Sequence, residues 1–270
     1  MSLPLEDLYE DIIGKAQRGL NLSDTDLITQ SGIDADALQS ALAGTFEEPT
    51  ACRLAAALKL NSHALIASGR KAWHPSVHSL PEHFWQLTSD YQGVMTVNAY
   101  IAGHPDSRQA VIFDSGADAQ PILNVIKEHK LQAAAILVTH GHGDHIAEIP
   151  KLKQELSAPV YAVENGADGD HTFAWGNTIS LAGFDIECRR SSGHAADGTT
   201  FVFAMEDRPV AITGDALFAG SMGGANDCWQ EALTCTRRNI LSLPDDTLLC
   251  PGHGPVTTVA LEKSNNPFFA

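Results

Sequence analysis

Apolar residues recur at helical spacing through the first seventy positions, then give way to short apolar runs of strand length. The first region breaks into five blocks: Leu5–Gln17, Asp24–Gln30, Asp34–Leu42, Pro49–Leu58 and Ser62–Ser68. Ser23 is placed to cap the second block, and the Ser31-Gly32 turn separates it from the third. Gly44 and Gly69 follow the third and fifth blocks as stop signals. The pattern predicts a small all-α helical bundle over residues 1–72. Residues 73–90 carry Pro75 and Pro81 and little periodicity, and read as a linker and lead-in. From residue 91 onward the pattern alternates. Strands are predicted at Val94–Ala102, Ala110–Asp114, Ala133–Thr139, Val160–Val163, Thr199–Ala204, Pro209–Thr213 and Thr247–Cys250, with a hairpin over Thr178–Cys188. Helices are predicted at Gln120–Glu128, Ile146–Leu156 and Glu231–Leu241. Strands and helices in alternation predict an α/β layered domain over residues 91–270.

Composition narrows the partners. The chain has 270 residues, 44% apolar and 19% charged, which fits a globular protein with a sizeable core. Its net charge of −16 argues against nucleic acid and anionic membrane as partners. Acids stand where a signal peptide needs bases, and the longest apolar runs, such as Ala133–Val138, are too short to span a bilayer. The five cysteines are scattered without a CxxC pair, which fits a reducing compartment. A cytoplasmic setting is the expectation.

One stretch concentrates the chemistry. Leu137-Val-Thr-His-Gly-His-Gly-Asp-His145 places His140, His142, Asp144 and His145 directly after a predicted buried strand. Imidazole and carboxylate are the ligands that zinc and ferrous iron take. Gly141 and Gly143 let the loop turn tightly, so that the side chains converge. His194, Asp215 and His253 stand after other predicted strands, each beside glycine. Together they complete a set of seven candidate metal ligands.

This arrangement resembles the metallo-β-lactamase superfamily, and within it the glyoxalase II-like (hydroxyacylglutathione hydrolase) branch. The stretches VNAYIAG, VIFDSGAD, ILVTHGHGDHIAEI, SSGHAADGTTFVF, ITGDALFAGSMGG and CPGHGPVTTVALEKSNNPFF carry the resemblance. It implies an αββα sandwich with two divalent ions at the sheet rim, zinc first, with iron or manganese as alternatives. His140, His142 and His194 would hold one ion; Asp144, His145 and His253 the other; Asp215 would bridge them. Asp114 would orient an imidazole. The implied reaction is hydrolysis of a small-molecule thioester by a metal-bridging hydroxide held by Asp144 and Asp215. Aspartate at 215, where class B β-lactamases typically place cysteine, disfavours antibiotic hydrolysis.

Three departures bear on the substrate. The loop around His194 reads SSGHAADG in place of TPGHTPG. The tail after His253 is short, as in small glyoxalase II-like hydrolases and persulfide dioxygenases. The Arg-Thr-Asp that relatives often carry after GD-L is absent, leaving Arg189, Arg237, Arg238 and Lys263 as candidate cations. A mononuclear iron persulfide dioxygenase and a lactonase of the same superfamily are the enzymatic alternatives.

LSDTDLITQSGIDADALQSALAG resembles the Cro-type helix-turn-helix family. Its would-be recognition helix carries Asp34 and Asp36 and no base, which argues against DNA. A packing or homodimerisation module is the expectation, with a metabolite-sensing regulator as the non-enzymatic alternative. Phe173, Trp175 and His171 fit either a loop over the site or a hydrophobic plug, and Trp229 is similar. His74, His78 and His83 read as linker histidines, and Cys228 and Cys235 show no sign of activation.

Overall fold

The computed structural model describes residues 3–77, 79–206 and 208–270, so His78 lies outside the described residues. Five helices come first: α1 (Tyr9–Gly19), α2 (Asp24–Ser31), α3 (Ala35–Leu42), α4 (Glu48–Leu58) and α5 (Ser62–Gly69). Their starts are coded locally. The side chains of Ser23, Asp34 and Asn61 accept the backbone N–H groups of Asp26, Ala37 and Ala64, which relieves unpaired donors at each helix start. Helix α1 starts at Tyr9 rather than at Leu5, because the Asp11 carboxylate accepts the Leu8 N–H and makes Leu8 the cap.

Two six-stranded sheets follow. The first runs β1 (Phe84–Tyr91), β2 (Met95–Gly103), β3 (Gln109–Phe113), β4 (Gln132–Leu137), β5 (Val160–Val163) and β6 (His171–Phe173), paired in that order. The second is built from β7 (Thr178–Leu181), β8 (Phe184–Arg190), β9 (Thr199–Met205), β10 (Arg208–Gly214), β11 (Leu248–Pro251) and β12 (Thr257–Thr258). Helices α6 (Gln120–Glu128), α7 (Gly143–Ile146) and α8 (Ile149–Leu156) follow strands of the first sheet; α9 (Trp229–Asn239) and α10 (Val259–Asn265) follow strands of the second.

Period-two alternation explains the layering. Tyr100, Val111, Phe113 and Leu137 face Ile186, Phe201, Phe203, Val210 and Leu248 in the core between the sheets. The Phe113 and Phe203 rings stack there at 5.2 Å. The alternate residues Ile101, Ile112 and Ile136 pack outward with Ile122, Ile126 and Leu152 of α6 and α8. Ala211 and Leu249 pack outward with Ile240, Leu241 and Val259 on the other side. The result is an α/β fold of helix, sheet, sheet and helix layers, preceded by α helices.

Three features differ from the sequence expectation. Strand β1 lies inside the segment read as lead-in; it is an edge strand, mostly half-buried, and so lacks clean alternation. The single helix expected over Ile146–Leu156 is two, because Pro150 cannot donate an N–H and restarts the helix as α8. The helical region also has no separate core. Leu27, Leu54, Leu58 and Leu65 share one cluster with Met222, Trp229, Ala232 and Phe268.

Helix α10 pins the loop that follows β10. Glu262 is fully buried; its carboxylate accepts from the Gly220 N–H at 2.9 Å, the Thr257 hydroxyl at 2.7 Å and Asn266 Nδ2 at 2.8 Å. Burial outweighs these bonds and raises its pKa from 4.5 to about 7. The folded chain therefore holds this proton more tightly than the unfolded one. The resulting stability is complete below about pH 4.5 and is lost as pH rises through about 7. Glu262→Gln stays neutral throughout. Its melting temperature should gain on wild type between pH 5 and pH 8, by on the order of 3 kcal/mol in stability. Parallel melting curves across that range would overturn the assignment.

Candidate metal centre

Strands β3 and β4 are parallel, as are β10 and β11, and β8 and β10 both pair antiparallel with β9. Their C-terminal ends therefore deliver loops to one rim. Asp114 follows β3, the His140–His145 loop follows β4, His194 follows β8, Asp215 follows β10 and His253 follows β11. All seven sequence-predicted ligands meet at this rim, with Asp114 behind them. Contact is close: a Cβ at residue 252 would lie 2.2 Å from Asp215 Oδ1, so only glycine fits there.

Each ring nitrogen is assigned by what its other nitrogen touches. His145 Nδ1 faces Asp114 Oδ2 at 2.8 Å, His253 Nδ1 faces the Thr96 carbonyl at 2.6 Å, and His194 Nδ1 faces the Gly224 carbonyl at 3.0 Å. His140 Nδ1 lies 3.1 Å from Thr139 Oγ1, whose proton goes to Asp114 Oδ2 at 2.7 Å. These four acceptors take the Nδ1 protons and leave four Nε2 atoms aimed inward. His142 is the exception: its Nδ1 lies 3.1 Å from His140 Nε2 and 3.0 Å from His194 Nε2. Ligand atoms on a tetrahedral zinc stand about 3.4 Å apart, given bonds of about 2.0–2.1 Å. The three imidazoles approach that spacing.

Asp215 faces both halves of the site. Its Oδ1 is 3.3 Å from His145 Nε2. Its Oδ2 is 3.3 Å from His253 Nε2, 3.4 Å from His194 Nε2 and 4.0 Å from His140 Nε2. Asp144 Oδ2 is 3.2 Å from His253 Nε2 and 3.5 Å from His145 Nε2. Three groups could each hold a metal ion: His140 with His142 and His194; Asp144 with His145 and His253; and His140 with His145 and Asp215. His145 Nε2 and Asp215 Oδ1 are buried with no hydrogen-bond partner, despite their 3.3 Å separation. Buried polar atoms are rarely left so, and a cation between them satisfies both.

Electrostatics agree. Burial disfavours charge on His145, but Asp215 and Asp114 outweigh it and hold the imidazole up at about 10. Burial likewise opposes charge on His253, and Asp144 and Asp215 raise it to about 11. Burial pushes Asp215 up, yet His145 and His253 hold it well below the usual carboxylate range. Burial pushes His140 and His194 down, and neighbouring imidazoles add to the effect. Without an ion, two imidazolium charges stand where a cation's charge belongs.

Other expected residues lie elsewhere. Phe173 is buried between the sheets against Phe201, and Trp175 donates Nε1–H to Thr199 Oγ1 beneath the Arg190 guanidinium. Those two are plug residues, while His171 stacks on Tyr161 at the sheet edge. Trp229 is buried under the helical region. Arg189 pairs with Glu187, Lys263 with Asp245, and Arg237 donates to the Phe268 carbonyl. His74 meets the Leu3 carbonyl, and His83 lies beside Glu82. The sequence reading missed Thr139, Thr96 and Gly224. Thr139 adjoins the histidine motif and was findable; Thr96 and Gly224 act through carbonyls that any residue supplies. It also missed Asn98, whose Nδ2 donates to the Pro251 and Gly254 carbonyls and ties β2 to the His253 loop.

The profile of the Metallo-beta-lactamase superfamily matches residues 93–187. Hydroxyacylglutathione hydrolase GloC of Haemophilus influenzae is 30% identical over 189 residues, covering 60% of this chain and 88% of its own. The human mitochondrial persulfide dioxygenase ETHE1 is 31% identical over 191 residues, covering 67% and 74%. The crystal structure of BLEG-1, a B3 metallo-beta-lactamase, aligns at a TM-score of 0.61 with 28% identity, covering 69% and 99%. The chain belongs to the metallo-β-lactamase superfamily, whose members bind metal ions and are mostly enzymes.

Asp114 holds His145 and, through Thr139, His140. Asp114→Asn keeps the shape but weakens acceptance of the His145 proton. Zinc affinity, read by competition with a chelator, should fall about 10- to 100-fold. Unchanged affinity would remove Asp114 from the support of the site.

Proposed function

We propose that the chain is a binuclear metal-dependent hydrolase acting on thioesters of the hydroxyacylglutathione kind. The observation that carries this reading is Asp215, whose carboxylate lies within 3.4 Å of His194 from one set of ligands and of His145 and His253 from the other. His140, His142 and His194 hold one ion in this reading, and Asp144, His145 and His253 hold the other. Two such ions supply Lewis acidity and a water whose pKa falls toward about 7. Zinc suits the three-imidazole set, and the histidine and carboxylate mixture also accepts iron or manganese.

The chain's own groups supply orientation. Asp144 Oδ2 and Asp215 Oδ2 flank His253 Nε2, where they can accept hydrogen bonds from an attacking water. Water adds to the thioester carbonyl, the C–S bond breaks, and an acid and a thiol are released. A thiol of pKa about 8.5 leaves as thiolate with little help, so a thioester needs no separate proton donor, whereas an amide does. The likeness to GloC supports a glutathione thioester.

The likeness to human ETHE1 favours a second reading, an iron persulfide dioxygenase. A lactonase would use the same residues. DNA binding is not supported: α3 opens with Asp34 and Asp36, and its Gln39 side chain donates to Asp24 at 3.2 Å. The helical residues 1–72 are read here as a packing region. No described helix is long and apolar enough to cross a membrane, and a cytoplasmic setting and a homodimer through the helices remain proposals.

Thiol release from S-lactoylglutathione, after separate loading with zinc, iron and manganese, tests the reading. Turnover abolished by chelator is the expected result, and Asp215→Ala should lose both metal and activity. A fully active, metal-replete Asp215→Ala protein would sink it. Oxygen uptake with a glutathione persulfide on the iron-loaded protein, without thioester turnover, would transfer the assignment to the dioxygenase.

A further inference from the structure

The N-terminal region packs against the loops that carry the metal centre. Lys15 on α1 pairs with Asp7, and its Nζ also donates to the Met222 carbonyl at 2.9 Å. The Ser221 hydroxyl donates to the same Asp7 carboxylate. Asp7 is 8% exposed and Lys15 14%. Lys15 Nζ also sits 5.1 Å over the Phe218 ring, which packs edge-on against His253 at 5.5 Å. Beside it, the backbone of Pro4–Glu6 lies against Gly254, where an added Cβ would be 3.2 Å from the Glu6 nitrogen.

The segment gripped in this way closes the site. After Asp215 the chain loops out and returns. The Gly223 N–H donates to the Asp215 carbonyl at 3.0 Å, and the Gly224 carbonyl accepts His194 Nδ1. Residue 223 has no room for a side chain, since a Cβ would lie 2.7 Å from His194 Nδ1. Ser221 and Met222 immediately precede these two glycines. Helix α10 holds one side of the loop through Glu262 and Asn266. Asp7 and Lys15 hold the other.

We propose that Asp7 and Lys15 are positioning residues of the metal centre: by fixing Ser221 and Met222 they set the Gly224 carbonyl that orients His194. The helical region is then a working wall of the site, beyond its packing role. This rests on the proposed assignment of His194 as a metal ligand. Removing one partner leaves a buried charge unpaired and destabilises the chain, so the test replaces both. In Asp7→Asn/Lys15→Met neither charge remains. Zinc is titrated against a chelator, with His194→Ala marking the step that depends on His194, and circular dichroism reports folding. The expected result is that this step weakens roughly tenfold, the low end for an outer partner of a ligand, while the other step moves less than about twofold. Lys15→Arg with Asp7 kept should hold this step close to wild type, because it keeps the charge and the donors.

The readout separates positioning from general stability. Arg53→Gln removes the guanidinium contact to the Gly32 carbonyl, remote from the loop, and should leave both steps unchanged. If the double variant binds zinc as wild type does, or loses both steps equally, the proposal fails and the metal assignment stands. If wild type itself binds no zinc, the metal assignment fails and carries this proposal with it.

Discussion

A carboxylate buried without a positive partner is among the most costly arrangements a fold can hold, and Asp215, at 7% exposure, demands one. The rest of the rim answers it. Four imidazoles point Nε2 toward Asp215 or its neighbours because Asp114, Thr139, Thr96 and Gly224 take their Nδ1 protons. Thr96, Asp114 and Thr139 stand on or just after β2, β3 and β4 of the first sheet, and Gly224 comes from the loop after β10 of the second. The packing between the sheets therefore does more than bury area. It sets the distance between Asp114 at the end of β3 and Asp215 at the end of β10, and His145 spans that gap with one nitrogen on each side.

Much of this was legible in the sequence, for a physical reason. Ligands need residue types that cannot be exchanged, so His140, His142, Asp144 and His145 stand out at any identity. Buried strands such as β4 and β10 read as apolar runs because both faces are covered. What escaped were parts whose work is done by backbone or by position. Thr96 and Gly224 supply carbonyls. Strand β1 is half-exposed, and β6 and β12 are three and two residues long. The shared core of helices and sheet layer escaped as well, because Trp229 and Phe268 look alike whether they pack within one unit or between two.

The helical region shows why a motif resemblance needs a surface before it carries a function. Helix α3 has the place of a recognition helix in order along the chain, yet it opens with Asp34 and Asp36. Phosphate contacts need cations, and these acids repel the backbone they would have to approach. The buried charges of the same region point inward instead. Asp7 and Lys15 neutralise each other against the Ser221–Met222 turn. An ion pair there is better explained by the geometry it imposes than by the stability it adds, since apolar residues of similar size would fill the same space at lower electrostatic cost.

Charge also frames the choice between one ion and two. Asp114, Asp144 and Asp215 bring three carboxylates to the site, and in the absence of an ion His145 and His253 carry the balancing charge, with pKa values of about 10 and 11. An ion on the three imidazoles alone leaves Asp144 beside His253, still paired by that imidazolium at 3.2 Å. A second ion must displace the protons of His145 and His253, and in return it meets Asp144, the two imidazoles and the free face of Asp215 at once. The first arrangement satisfies the charges; the second also satisfies the two buried atoms left without partners, His145 Nε2 and Asp215 Oδ1. Unmet donors and acceptors at zero and 7% exposure are the stronger demand, and they call for an ion that reaches His145 and Asp215, which an ion on the three imidazoles alone does not supply.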